Sequence, residues 1–373
     1  LEADKKVLVS KDFMNTTHGG MSCVQCHGGS AGNTRAEAHR EMAASPSAGS
    51  DSNCITCHSK IADSFKDSLH ATTAAVSDPQ KAVVVVRANP DKMAELAKGL
   101  QNNCGTCHIQ TCGECHVSRP KTTGGGFVDG HKFYKTPKST LNCTACHGSR
   151  IEKEYMGKAS EDYPELQADV HWLPTGMQCA ECHTSEWIHV ENPAASSRYE
   201  TKAAPSCEKC HTGQEGFTGI AAHRKHAVSE TGATLLQCQV CHSQSYNNCY
   251  SCHVGVDKKN LPYFKTENSG FDFKIGRNPD KSPERPYDYV VVRHVPVAPD
   301  TFSFYGDDIL SNFDAAPTWK YATPHNILRV TPQAGECNGC HGNKDIFLTG
   351  ENVLPEEKKA NEDVLVTKIP PKI

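Results

Sequence analysis

Apolar positions along this chain come in short, scattered bursts. The longest uninterrupted runs are AVVVV from Ala82 and VVV from Val290, well short of the roughly 20 residues that a membrane-spanning helix needs. Helix-period patches are equally brief. Thr34–Ala44 is rich in Ala, Glu and Arg, Ala62–Ala75 carries His70, Pro90–Leu100 follows Asn89 as a cap, and Ile220–Val228 carries His223 and His226. Tyr287–Val297 alternates as a strand should. It lies in a region from 257 to 322 that is dense in aromatics, among them Tyr263, Phe271, Phe304 and Trp319, and this predicts a small packed subdomain. Two matching runs near the ends, KVLVS at Lys6 and VLVTK at Val364, predict strands that pair within the chain or add to a neighbouring subunit. With 28 Gly and 21 Pro between the patches, the expected fold is mostly irregular and loop-rich, with short α-helices and minimal β.

Apolar side chains alone do not hold such a chain together. Hydrophobic residues make up 37%, the 20 Cys included, where average domains reach about 45–50% on a count that also takes in Gly. Every cysteine belongs to a CxxCH unit, and there are ten: Cys23 and Cys26, Cys54 and Cys57, Cys104 and Cys107, Cys112 and Cys115, Cys143 and Cys146, Cys179 and Cys182, Cys207 and Cys210, Cys238 and Cys241, Cys249 and Cys252, Cys337 and Cys340. CxxC pairs can also gather zinc, but a zinc site does not need a histidine directly behind each pair, and here all ten have one. The pattern is the attachment signature of haem c. Two thiols one helical turn apart meet the two vinyl groups of a porphyrin, and the following histidine lies under the iron. The proximal ligands are then His27, His58, His108, His116, His147, His183, His211, His242, His253 and His341. In NCGTCHIQTCGECHV, from Asn103, two units start only eight positions apart, which predicts two porphyrins in edge contact. At this density the porphyrins replace the missing apolar core, and apoprotein is expected to be largely unfolded.

Ten further histidines lie outside the motifs: His18, His39, His70, His131, His171, His189, His223, His226, His294 and His325. Their number equals the number of irons, and their placement is regular. His39, His70 and His223 each follow a motif histidine by twelve positions. They are expected as distal ligands, whereas the six Met show no comparable placement. Two imidazoles keep a haem potential low. They also leave no open position for a substrate, which predicts an electron carrier and not an enzyme.

The motifs repeat. Their starting cysteines are spaced 31, 50, 8 and 31 in the first set of five and 28, 31, 11 and 88 in the second. GGMSCVQCH at Gly19 matches TGMQCAECH at Thr175, NNCGTCHIQTCGECHVSRP at Asn102 matches LQCQVCHSQSYNNCYSCHVGVD at Leu236, and HKFYKTPKSTLNCTACHGSR at His131 matches HNILRVTPQAGECNGCHGNK at His325. The expected organisation is a pentahaem repeat over 1–165 and a second over 166–373. The second carries the aromatic insertion at about 257–322 and a tail over 350–373. The repeat pairs His18 with His171, His39 with His189, His70 with His223 or His226, and His131 with His325. The first set has four extra histidines for five irons and the second has six. One first-half haem is therefore expected to borrow a ligand from the second half or a neighbouring molecule, with His294 and one of His223 or His226 as candidates.

Charge excludes other classes. The formal net charge is −4, and each oxidised bis-histidine haem adds about one more negative charge from its propionates. With no basic block or stripe, nucleic acid is not an expected partner. No secretion signal is visible at Leu1. Because this type of haem attachment occurs outside the cytoplasm, an exported chain whose leader was removed is expected.

Ten CxxCH units in two sets of five, with extra histidines to match, resemble the multihaem c-type cytochromes of extracellular respiration. The likeness covers nearly the whole chain and rests on motifs and spacing. It is nearest to the cytochromes that polymerise into extracellular filaments, which are similar in haem density and in sharing ligands between subunits. What this resemblance implies is a filament-forming homo-oligomer, extracellular or at the cell surface, exchanging electrons with other cytochromes and extracellular acceptors. Two related groups are alternatives: decahaem conduits or shuttles of the periplasm and outer membrane, and multihaem reductases of small nitrogen or sulfur oxyanions. The reductases differ in carrying a variant motif that is missing here.

Overall fold

The computed structural model describes residues 9–30, 32–43, 45–48, 53–73, 83–105, 107–108, 111–128, 130–158, 163–189, 204–212, 217–227 and 235–373. Most of these are loops joined by helices of four or five residues, with little sheet, as the patterning predicts. The chain forms two compact units that interleave along the sequence. The first comprises Leu1–Ala74, Gly105–Gly148 and Cys179–Ala195, and the second Ala75–Cys104, Ser149–Gln178 and Ser196–Ile373. Neither coincides with the ranges 1–165 and 166–373 expected from motif spacing.

The first unit is a set of capped helical turns. Cys23–His27 starts on a capping box of Ser22 and Gln25, and Arg35–Ala38 on one of Thr34 and Glu37. Each box satisfies backbone donors that so short a helix cannot pair internally. The expected helix Ala62–Ala75 resolves into Ile55–Phe65 and Leu69–Thr72, the latter capped by Ser68. Val128 is the only buried hydrophobic residue described in this unit. Such short helices are not stable without tertiary packing, so what the unit packs around is not its own apolar side chains.

The second unit has a protein core. The antiparallel hairpin of β1 (Tyr246–Val256) and β2 (Pro262–Asp272) is followed by a sheet of β3 (Ile275–Arg277), β4 (Tyr289–His294) and β5 (Trp319–Tyr321) in the order β3-β4-β5. β4 is the strand that the alternation over Tyr287–Val297 predicts. Its Val290, Val291 and Val292 are buried on both faces, so the run reads as continuously apolar. One face packs with Trp319, Tyr321, Leu348 and Val364 and the other with Tyr246, Phe273, Ile275 and Phe347. The helix Met93–Asn103, reached through Asn89 as predicted, packs Leu96 with Phe302, Ile309 and Phe313. The aromatic insertion thus packs together with residues before and after it, Leu96, Tyr246 and Leu348 among them. The VLVTK run is held within the chain: Arg277 N–H donates to the Val364 carbonyl at 2.9 Å and Val366 N–H to that of Leu348 at 2.8 Å. Its proposed partner KVLVS lies outside the described residues, apart from Val9 and Ser10.

One buried ion pair braces this core. Arg293 on β4 reaches the carboxylate of Glu154, which is 1% exposed and also accepts the His325 N–H at 3.0 Å. Burial pushes the Glu154 carboxyl up, and Arg293 opposes that shift. Arg293→Met should cost about 3–5 kcal/mol at neutral pH, because it strands the buried carboxylate. Burial already outweighs the opposing groups, and without the arginine the folded-state pKa lies still further above the unfolded one. The loss should therefore shrink as pH falls below the ordinary carboxylate range and grow as pH rises through it. Urea unfolding at pH 4 and pH 7 checks this; an equal loss at both would refute it.

Candidate haem sites

A metal–imidazole bond of about 2.0–2.1 Å, with each ring centre about 1.2 Å beyond the ligating nitrogen, puts two rings on one metal about 6.4 Å apart. Six motif histidines face a second imidazole at this spacing. In the first unit His27 faces His131 at 5.8 Å, His58 faces His18 at 6.2 Å and His116 faces His189 at 6.1 Å. In the second His211 faces His171 at 6.0 Å, His242 faces His223 at 6.1 Å and His341 faces His226 at 6.3 Å. Each pair joins one motif histidine to one of the ten others, which is the arrangement that holds an iron between two axial nitrogens.

The surroundings of these rings orient them for that task. Nδ1 of His116 donates to the Tyr134 carbonyl (2.6 Å), that of His242 to Leu328 (3.0 Å), of His223 to Phe217 (3.0 Å), of His189 to Ser185 (2.9 Å) and of His341 to Pro371 (3.1 Å). His171 donates Nδ1 to the buried Asp169 carboxylate at 2.8 Å. Holding Nδ1 fixes the tautomer and turns Nε2 toward a metal. Aromatic rings complete the seats: His18 stacks on Phe133 and His131 on Phe127, each at 4.0 Å. His131 is held at φ +73°, a left-handed conformation uncommon for any residue with a side chain.

Burial keeps several of these imidazoles in the neutral form that ligates. His70 is pushed down to about 4 by burial, reinforced by His147, His189 and His108 in that order, and His183 to about 4 by burial with His147 and His70 beyond it. His108, His147, His189, His226 and His242 are lowered chiefly by burial. His171 moves the other way, raised by its bond to Asp169.

Cysteines of different motifs also meet. Thiols hydrogen-bond between Cys54 and Cys112, Cys143 and Cys179, and Cys107 and Cys146 in the first unit, and between Cys207 and Cys238 in the second. With haem attached, motifs whose cysteines adjoin in this way would hold neighbouring porphyrins.

Two expected ligand residues stand apart. His39 is exposed, with Nδ1 donating to the Arg35 carbonyl at 2.7 Å, and no imidazole among the described residues faces it at axial distance. His294 departs from expectation altogether. It is fully buried, its Nδ1 donates to the Cys249 carbonyl at 2.7 Å, and its Nε2 is hydrogen-bonded to Glu357 at 2.6 Å, so both ring nitrogens are committed to protein groups. His325 packs edge-on against Tyr155 at 6.5 Å. Glu357 and the carbonyls of Tyr134 and Leu328 carry no motif, and sequence reading does not find them.

Residues 53–148 match the family described as cytochrome c554 and c-prime. The chain is 24% identical over 212 residues to the high-molecular-weight cytochrome c of Nitratidesulfovibrio vulgaris, covering 49% of this chain and 36% of that protein. It is 24% identical over 157 residues to the C-type polyheme cytochrome OmcB of Geobacter sulfurreducens, covering 38% of this chain and 19% of that one. The chain therefore spans well under half the length of these curated relatives. No solved structure matches it. Among the described residues no helix is long and apolar enough to cross a membrane. The motifs, the ring pairs and these likenesses together make the chain similar to multihaem c-type cytochromes.

Proposed function

We propose that this protein conducts electrons through ten covalently attached haem c groups and does so as the subunit of an extracellular filament. The observation that carries the reading is the set of six imidazole pairs at 5.8–6.3 Å. When bound, haem supplies a reversible one-electron couple. The chain's own residues do the rest: paired imidazoles close both faces of the iron to substrate, and adjoining cysteines hold successive porphyrins within reach of one another.

Assembly is supported by His39. Its Nδ1 is pinned and its ring is exposed, the state of a ligand presented outward to another molecule. His39→Ala should leave the haem content of the chain at ten while abolishing filaments seen by electron microscopy of the extracellular fraction. Filaments of unchanged length and abundance in that variant would refute the assembly role. A haem-to-protein ratio clearly below ten in the native chain would refute the conduction path itself.

A further inference from the structure

Hydrogen bonding around the motifs shows a register that motif spacing does not. Tyr134 N–H donates to the His116 carbonyl at 2.9 Å, and Leu328 N–H to that of His242 at 2.8 Å. The same two carbonyl-bearing residues, Tyr134 and Leu328, take the Nδ1 protons of His116 and His242. Asn142 clamps the carbonyls of Glu114 and Ser118, and Gln333 clamps those of Val240 and Ser243. The fourth motif is therefore the counterpart of the eighth, not of the ninth. The second motif and the seventh agree as well, each served by a histidine lying ahead of the preceding motif, His18 and His171. What repeats is a four-haem unit, with the third motif an addition to the first copy and the ninth an addition to the second.

The ninth motif is built differently. It lies on β1 instead of a helical turn, and Ser251 between its cysteines is held at φ +49°. Residues three apart on a regular strand point to opposite faces. The left-handed residue breaks that alternation, which one porphyrin needs if it is to take both sulfurs. Its histidine is not seated like the others. Nδ1 of His253 is bonded to no carbonyl, lying 3.8 Å from Asp300, and Nε2 meets only the exposed Glu267 at 3.3 Å, a solvent-facing contact that can give way to an iron as the buried 2.6 Å bond of His294 to Glu357 cannot.

No histidine of the second unit is left for the distal face of this iron. In the second unit His171, His223 and His226 face His211, His242 and His341. His294 is committed to Glu357 and the Cys249 carbonyl. His325 is the counterpart of His131, a residue that serves the first motif of a repeat, not an added one. Every residue from 235 to 373 is described, so none is hidden near the strand.

We infer that the ninth haem, on Cys249, Cys252 and His253, has a sixth position that the second unit leaves open to a small neutral donor ligand such as carbon monoxide or free imidazole. This rests on the reading above that every motif carries haem. The test is carbon monoxide titration of reduced holoprotein carrying His39→Ala, which removes the exposed imidazole that a second copy could offer. Carbon monoxide should bind, and the bound amount should fall by about one haem per chain when Cys249→Ala and Cys252→Ala are added. Less than one equivalent bound to the fully haem-loaded His39→Ala chain overturns the inference without need of the second variant. So does a bound amount that the cysteine changes leave the same. A haem count below ten in the His39→Ala chain would instead fault the underlying reading.

Discussion

Protein made without haem attachment should lose its structure unevenly, keeping slow amide exchange over residues 235–373 and the helix Met93–Asn103 while the first unit exchanges as an unfolded chain. Fixing one residue's backbone costs about 1–2 kcal/mol, and fully burying one large apolar side chain returns about 1.5–3 kcal/mol. The first unit has Val128 alone to set against that cost among its described residues. The second unit sets against it Leu96, Tyr246, Ile275, Phe302, Val290, Val291, Val292, Trp319, Leu348 and Val364, all 3% exposed or less. It also has a hydrogen-bonded sheet and the fully paired Asn361, which accepts from Thr318 and Trp319 and donates to Thr318 and Glu357. Hydrogen exchange read by mass spectrometry on apoprotein checks this. Uniform protection, or uniform loss across both units, would show that the porphyrins are not the first unit's core in the way argued. The outcome sharpens the expectation from composition alone, which treats the whole apoprotein as unfolded.

How far the chain is legible before folding depends on whether the relevant chemistry is local. Attachment is local: two thiols and a histidine within five residues must serve one porphyrin, so Cys23 to His341 can be assigned from spacing. Helix starts are local too, and Thr34 and Asn89 cap where the pattern puts them, whereas Ser68 caps inside a run expected as one helix. The Tyr287–Val297 run survives as β4 because its β-branched and aromatic residues suit a strand, although burial on both faces replaces the expected alternation. Distal ligation is not local. His189 and His294 look alike in sequence, each a histidine without a motif, yet one faces His116 and the other is sealed against Glu357. Their fates are decided by partners 73 and 63 positions away, the second given by the structure and the first by the count along the chain. The interleaved units have the same origin, since the bond between the Cys179 N–H and the Ser139 hydroxyl, at 3.1 Å, joins segments that spacing places in separate halves.

His189→Ala and His294→Ala should therefore have opposite consequences, although sequence alone gives both residues the same role. Losing His189 removes the second imidazole from the iron held by His116. That haem should turn high-spin, bind about one extra equivalent of carbon monoxide over the unaltered chain, and move to higher potential within the roughly 0.8 V range that axial ligands command. The stability of the second unit should not change. Losing His294 touches no axial pair and should leave the haem spectra as they were. It removes the only hydrogen-bond partner described for the Glu357 carboxyl, whose other oxygen is already buried without one, and it opens a space beside Tyr250 and Trp319. The stranded acceptor alone should cost about 1–3 kcal/mol, read as a lower urea midpoint. A spectrally silent His189→Ala would break the link between ring spacing and ligation on which every axial pair rests. A new carbon monoxide site in His294→Ala would return that residue to the iron and undo the argument for an added, open ninth haem.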